Sequence, residues 1–288
     1  MHRKNALSGY LFFLPGFLFF ILFIIYPLFR NLYYSFFDLR LTDLNRMTFE
    51  GLANYTEVLT DRVFWVSIRN VIIYGLISVP GQMVLGFIAA YALHRSIPGS
   101  KLFRTLYFIP VITSWVIASL VLKFFFTDQG MFNSLLMMMS LIDKPISWLS
   151  EPGKAIAVLA LLGIWKGIGW VMVIYLAALQ GVPQELYEAA SLDGCNGWQK
   201  IRYITLPSVR GNTLFIQLML VIGAFNVFTS FYLITGGGPL HQTEVMLTWM
   251  YRKAFVEYDL GYASALSYLF AVIIGCLSMF QFRLNRQH

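Results

Sequence analysis

The sequence predicts an all-α polytopic membrane protein with six transmembrane helices, and three observations carry that prediction. Of 288 residues, 58% are apolar, 17% aromatic and only 12% charged, with a mean hydropathy of +0.66, which is too oily for a water-soluble globule of this length. A spanning helix needs about 20 mostly apolar residues, and six runs meet that need, at about residues 11–37, 68–94, 105–126, 156–181, 213–235 and 262–282. The polar segments between the runs are short, so residues 1–288 are expected to form a single transmembrane domain.

In the first run, Arg3 and Lys4 precede the apolar stretch as in a secretory signal. The run continues through Phe29 without a small-residue cleavage site and is interrupted by Pro15 and Pro27, so it reads as a retained first helix with nothing removed. In the second run, Pro80, Gly81 and Gln82 mark a candidate kink. Lys123, near the external end of the third run, is placed to snorkel. The fourth run holds Lys166 near its middle, where an ammonium in hydrocarbon costs about 2.5–3.5 kcal/mol and is expected to face a bundle interior or a water-filled cavity. Gly163, Lys166, Gly167 and Trp170 share one helical face. The glycines open room, Trp170 offers a flat surface for a sugar ring, and Lys166 can donate to hydroxyls or a carboxylate or pair with an acid of another subunit. Trp165 reads as packing or lipid-facing.

Orientation follows from the cations, which are in excess on cytoplasmic flanks. Six spans place both termini, the second-to-third loop and the fourth-to-fifth loop on one side. That side holds ten cations (Arg3, Lys4, Arg95, Lys101, Arg104, Lys200, Arg202, Arg210, Arg283 and Arg286) against seven on the other, which carries eleven of the fourteen acids. Both termini are therefore expected in the cytoplasm, and the net charge of +7 needs no nucleic-acid partner.

Catalytic patterns are absent from the sequence. There is no G-x-x-x-x-G-K-[ST] phosphate loop, no H-E-x-x-H, no C-x-x-C and no G-x-S-x-G, and four histidines are scattered. Cys195 and Cys276 fall in different environments and make no case for a disulfide or a metal site. The chain is expected to be no enzyme and to hold no cofactor of its own.

The fourth-to-fifth loop, residues 182–212, carries Glu188-Ala-Ala-Ser-Leu-Asp-Gly194 and, after nine further residues, Ile204-Thr-Leu-Pro207. Pro183 with Gln184 and Glu185 reads as a helix start. Leu186, Ala189, Ala190 and Asp193 follow at helical spacing until Gly194, which can supply a left-handed stop. A second short helix is expected from Gly197 through Tyr203, broken by Pro207. The result is a compact helix-turn-helix knob with small residues at its tip.

This loop resembles the EAA loop of ABC importer permeases, matching E-A-A, G and I-x-L-P at all seven positions without a gap. The ending Leu233-Ile-Thr-Gly-Gly-Gly-Pro239 after the fifth run resembles the carbohydrate-uptake branch, specifically the first permease of maltose-type pairs. The resemblance covers about residues 70 to 282 and implies a type I importer permease fold. It implies ATPase-coupling roles for Glu188, Ala189, Ala190, Asp193, Gly194, Ile204 and Pro207. It also implies substrate contacts on the Gly163, Lys166, Gly167 and Trp170 face and, on the fifth span, at Gly223, Asn226 and Val227. Asn226 is expected as a buried amide that meets either ligand or a neighbouring helix.

The implied partners are a homologous second permease, an ATPase homodimer that binds ATP and Mg, an extracytoplasmic solute-binding protein, a sugar or oligosaccharide, and the lipid of a bacterial inner membrane. Two rivals stand beside this reading. One is an importer of the same branch for glycerol-phosphate or acidic oligosaccharides, with Lys166 as charge partner; the other is a secondary transporter or channel.

Overall fold

The computed structural model describes residues 12–94 and 98–286. Arg3, Lys4 and Arg95 of the orientation argument, with His2, Leu11 and His288, lie outside the described residues. The helices run α1 (Phe12–Tyr34), α2 (Ala53–Thr60), α3 (Arg62–His94), α4 (Ser100–Ile112), α5 (Trp115–Phe125), α6 (Met131–Met138) and α7 (Pro152–Gln180). They continue with α8 (Gln184–Leu192), α9 (Gly197–Lys200), α10 (Leu206–Ser208), α11 (Arg210–Phe225), α12 (Thr229–Ile234), α13 (Met246–Phe255) and α14 (Leu260–Arg286).

Among the described residues, five spans are long and apolar enough to cross a membrane: α1, α3, α7, α11 with α12, and α14. The third apolar run, expected as one helix over 105–126, is instead α4 and α5, bent by 92° at Thr113 and Ser114. Counting the bent pair as one span gives six. Both residues at the break are extended, with ψ of 138° and 135°, and the Ser114 side chain caps the new helix by accepting from the Val116 N–H. Pro80, expected as a kink, lies inside a helix assigned without interruption from Arg62 to His94.

The expectation of an all-α chain is corrected by a hairpin that follows α1. Strands β1 (Phe37–Arg40) and β2 (Asp43–Phe49) pair antiparallel with Phe37 opposite Phe49, their rings 5.3 Å apart. Cross-strand aromatic pairs of this kind stabilise a short ribbon, and apolar-run counting is blind to them because the segment alternates with Asp, Arg and Asn.

The described residues form two compact units. One holds those up to Phe64 together with Met250–Ile273. Within it α1 and α14 are joined by polar side chains: Asn31 Nδ2 donates to Ser267 Oγ at 2.6 Å, and Ser264 Oγ donates to Asn31 Oδ1 at 2.7 Å. Such bonds join helices where both sides are otherwise hydrocarbon. Buried Asn54 holds the start of the hairpin by donating to the Ser35 and Phe37 carbonyls at 3.0 and 2.9 Å. Asp61 accepts from the Val63 N–H at 2.8 Å and from the Tyr262 hydroxyl at 2.5 Å.

The other unit holds Trp65–Trp249 and the described residues from Ile274 onward. Its centre is α7, whose buried face packs against α4 and α11, while α5 crosses α12. One core cluster joins Ala89, Ala90 and Leu93 of α3 to Val171, Met172, Tyr175 and Leu179 of α7 and Ile216 of α11. Lys123, expected to snorkel, instead donates to the Leu233 carbonyl at 2.9 Å. It thereby satisfies one of the carbonyls that a helix end leaves without a partner, and its charge complements the negative end of α12.

Candidate functional site: a polar cavity and an exposed helical loop

Among the described residues, a cavity of about 230 Å³ opens between α3, the α4/α5 break, α7 and α11. Helix α3 lines it with Tyr74, Ser78 and Gln82; the break contributes Val111 and Trp115; α7 contributes Gly163, Lys166 and Gly167; and α11 contributes Met219, Leu220, Gly223 and Ala224. The lining is mainly apolar, and the Tyr74 and Ser78 hydroxyls, the Gln82 carboxamide and the Trp115 ring set in it could meet a sugar, whose hydroxyls need partners and whose ring faces stack. A larger groove of about 950 Å³ is walled by residues such as Ile117, Val121, Phe125 and Trp148. Its nearly pure hydrocarbon lining offers a sugar almost nothing to bond.

The wall is close-packed where glycines allow it. A Cβ on Gly167 would collide with the Gln82 carboxamide, and one on Gly163 would collide with the Tyr74 hydroxyl. Lys166 is 4% exposed. Its Nζ donates to the Pro110 carbonyl at 2.8 Å and the Thr113 carbonyl at 2.5 Å, and it sits 4.8 Å from the centre of the Trp115 ring.

Of the residues expected to meet substrate, Gly163, Lys166, Gly167 and Gly223 come together on this cavity. Trp170, Asn226 and Val227 do not line it. Trp170 packs against the α3/α7/α11 core cluster. Asn226, expected as a buried amide, is exposed: it caps α11 and donates to the Ile222 carbonyl at 2.8 Å. The amide therefore finds its partner locally, on the same carbonyl that the Asn226 backbone N–H already meets at 3.1 Å. Sequence reasoning missed Tyr74 and Ser78 and read Gln82 only as part of a kink. The signal was present, since polar side chains at positions 74, 78 and 82 repeat every four residues and so form a stripe on one face of an apolar span.

The loop after α7 is built as a knob. Pro183 precedes α8, and Gly194 takes φ of +77°. The Cys195 N–H donates to the Ala190 carbonyl at 2.9 Å and the Gly194 N–H to the Ser191 carbonyl at 3.2 Å, a Schellman stop that needs a left-handed residue at that glycine. Asn196 and Gln199 then form a capping box that starts α9. Pro207, expected to break this second helix, does not. The chain continues through a wider π-helical turn, Ile201–Thr205, into α10, with Pro207 in its first turn, and the helix stops just beyond it at Val209.

Two bonds tie the halves of the knob together, Tyr187 Oη with Thr205 Oγ1 at 3.0 Å and Lys200 Nζ to Ser191 Oγ at 2.5 Å. Glu188, Ala189, Asp193, Gly194 and Pro207 are exposed, Ile204 is half-buried and Ala190 is buried. Leu192, Trp198 and Tyr203 are exposed as well, Leu192 at 90%. An apolar surface of this kind on a rigid knob is characteristic of a docking element.

Residues 82–286 match the family described as the binding-protein-dependent transport system inner membrane component. The chain belongs to this family. A probable ABC transporter permease protein, YurN, of Bacillus subtilis (strain 168) is 34% identical, covering 98% of this chain and 97% of that relative. The lactose transport system permease protein LacF of Rhizobium radiobacter is 31% identical over 100% and 97%. Among solved structures, a bacterial alginate ABC transporter in complex with an alginate pentasaccharide-bound periplasmic protein includes a chain with the same fold. It is 21% identical with a TM-score of 0.86, covering 99% of this chain and 96% of that one. Family membership removes the secondary transporter and channel readings.

Proposed function

We propose that this permease translocates a sugar or short oligosaccharide across the inner membrane of a bacterium by alternating access, driven by a separate ATPase. The observation that carries the reading is the pairing, within one chain that is similar end to end to a lactose permease, of a sugar-suited cavity with an exposed knob bearing the EAA pattern. With α4 and α5 counted as one of six spans, both termini and the knob would lie on the cytoplasmic side, where an ATPase homodimer with its ATP and Mg would meet Glu188, Ala189 and Leu192.

The cavity of about 230 Å³ is below the roughly 300–1,000 Å³ usual for small-molecule sites. The open side therefore calls for a second, homologous permease to complete the enclosure, with an extracytoplasmic solute-binding protein to deliver the ligand. Rigid-body motion of the two halves, biased by ATP-driven closure beneath the knob, would expose the site to each side in turn. An anionic ligand held through Lys166 is the less favoured reading, because two backbone carbonyls already take up that ammonium.

The test is reconstitution of the chain with its co-expressed partners in liposomes and measurement of ATP-dependent uptake of labelled mono- and disaccharides. Uptake that needs ATP, the binding protein and this chain supports the reading; uptake without ATP, or ATP turnover that no saccharide stimulates, overturns it.

A further inference from the structure

The bend between α4 and α5 leaves the Pro110 and Thr113 carbonyls without helical partners. In an unbroken helix, the Pro110 carbonyl would accept from residue 114 and the Thr113 carbonyl from residue 117. The chain is extended at Thr113 and Ser114, so those bonds are not made. Unsatisfied carbonyls are costly in hydrocarbon, and a broken helix persists in a membrane only where something re-satisfies them.

Lys166 supplies that partner from the facing helix. Its Nζ lies 2.8 and 2.5 Å from the two oxygens. The positive charge stands at the negative end of α4, and the Trp115 ring lies against it at 4.8 Å, within cation–π range. Val111 and Trp115, on either side of the break, both line the cavity. The angle of the break therefore sets where that wall stands.

We infer that Lys166 is a positioning residue: it clasps the broken third span by two of the carbonyls freed at the break, and so sets the shape of the cavity rather than the charge of the ligand. Two of its three N–H groups are spent on backbone, and Trp115 covers the ammonium. Loss of the side chain is expected to weaken recognition of every ligand alike. The transport consequence rests on the proposed function; the conformational one does not.

The test reads the bend directly. Leu102→Cys and Phe124→Cys are spin-labelled in a Cys195→Ser, Cys276→Ser background, in the chain assembled with its co-expressed partners in nanodiscs. A straight helix puts positions 102 and 124 about 33 Å apart, and a right-angle bend about 22 Å. The wild-type residue and Lys166→Arg, which keeps the donors, should give the short distance. Lys166→Met should shift the population toward the long one. Should Lys166→Met fail to assemble, Lys166→Gln is read instead, being neutral and too short to reach both oxygens.

With the same variants reconstituted in liposomes, the half-saturation concentration for uptake should rise about tenfold in Lys166→Gln, by the same factor for lactose and for an unsaturated uronic disaccharide, and be rescued in Lys166→Arg. An unchanged distance distribution in the neutral variant overturns the clasp whatever the transport result. A loss confined to the uronic disaccharide overturns the positioning role in favour of direct charge pairing. If the distances shift as expected while no saccharide is carried by the wild type, the proposed function fails and the clasp stands.

Discussion

Gln82 on α3 and Gly167 on α7 are packed so closely that a single added methyl at Gly167 would overlap the Gln82 carboxamide. Gln82 is 8% exposed and lines the cavity, so the space open to its amide is the cavity itself. Gly167→Ala should force the two helices apart or turn Gln82 into the cavity, at a cost of about 1–3 kcal/mol. Thermal unfolding in detergent should fall by several degrees, and saccharide uptake should fall with it. A combined Gly167→Ala and Gln82→Ala variant should recover part of the stability, because the overlap is then removed; no recovery would show that the clash is not with Gln82.

Among the described residues, Glu188, exposed on the knob, accepts from Gln184 Nε2 at 3.0 Å. Its carboxylate is free to meet a donor on a docked ATPase. Glu188→Ala should leave the chain folded and inserted while lowering saccharide-stimulated ATP hydrolysis at least tenfold. Equal stimulation in wild type and variant would remove Glu188 from the coupling contact.

Gly194 has open space around its missing side chain but a φ of +77°. Gly194→Ala should therefore cost only the left-handed penalty, roughly 1–2 kcal/mol, and loosen the turn between α8 and α9. Gly194→Trp adds bulk on the exposed tip and should dissociate the ATPase from purified complexes. Retention of stoichiometric ATPase in the tryptophan variant would place the docking surface elsewhere.

Trp170 belongs with the α3/α7/α11 core cluster and not with the cavity lining. Trp170→Ala should lower stability by about 1–3 kcal/mol, less than for a fully buried aromatic. Half-saturation for uptake by the assembled complex should change less than twofold. A tenfold rise at unchanged thermal stability would return Trp170 to the ligand.

The ammonium of Lys123 on the Leu233 carbonyl offers a separate check on the packing of α5 against α12. Lys123→Met keeps most of the stem and removes the donor, at a cost of about 1.5–3 kcal/mol. Thermal unfolding of the purified chain should report that loss; an unchanged midpoint would show the bond to be dispensable.

The spans and the knob were legible in the sequence because their signals are local. Apolar runs mark α3, α7 and α14, since a span's length is set by the bilayer and its composition by lipid, though α3 starts six residues before its run. The stop at Gly194 could be read because a left-handed turn has a strong residue preference. Pro207 was misread as a break because a proline's effect depends on whether the turn before it widens, and the π-helical turn that accommodates it has no compositional mark. The hairpin is held by backbone pairing, by Asn54 and by an aromatic pair, Phe37 with Phe49, which no run of apolar residues announces.

The cavity divides along the same line. That Lys166 must face something polar followed from the cost of an ammonium in hydrocarbon. What it faces did not, because Pro110 and Thr113 lie more than fifty residues away and their carbonyls are backbone, identical in every sequence. Tyr74, Ser78 and Gln82 could be found as a polar stripe, but only packing shows that Gly163 and Gly167 lie against that stripe. The sequence by itself determined which segments are apolar enough to span a membrane, the turn of the knob at Gly194 and the need for a partner at Lys166. The tertiary structure decided the break in the third span, the cavity wall and the displacement of Trp170 and Asn226 from it, because those depend on which helix faces meet and which backbone groups are left free.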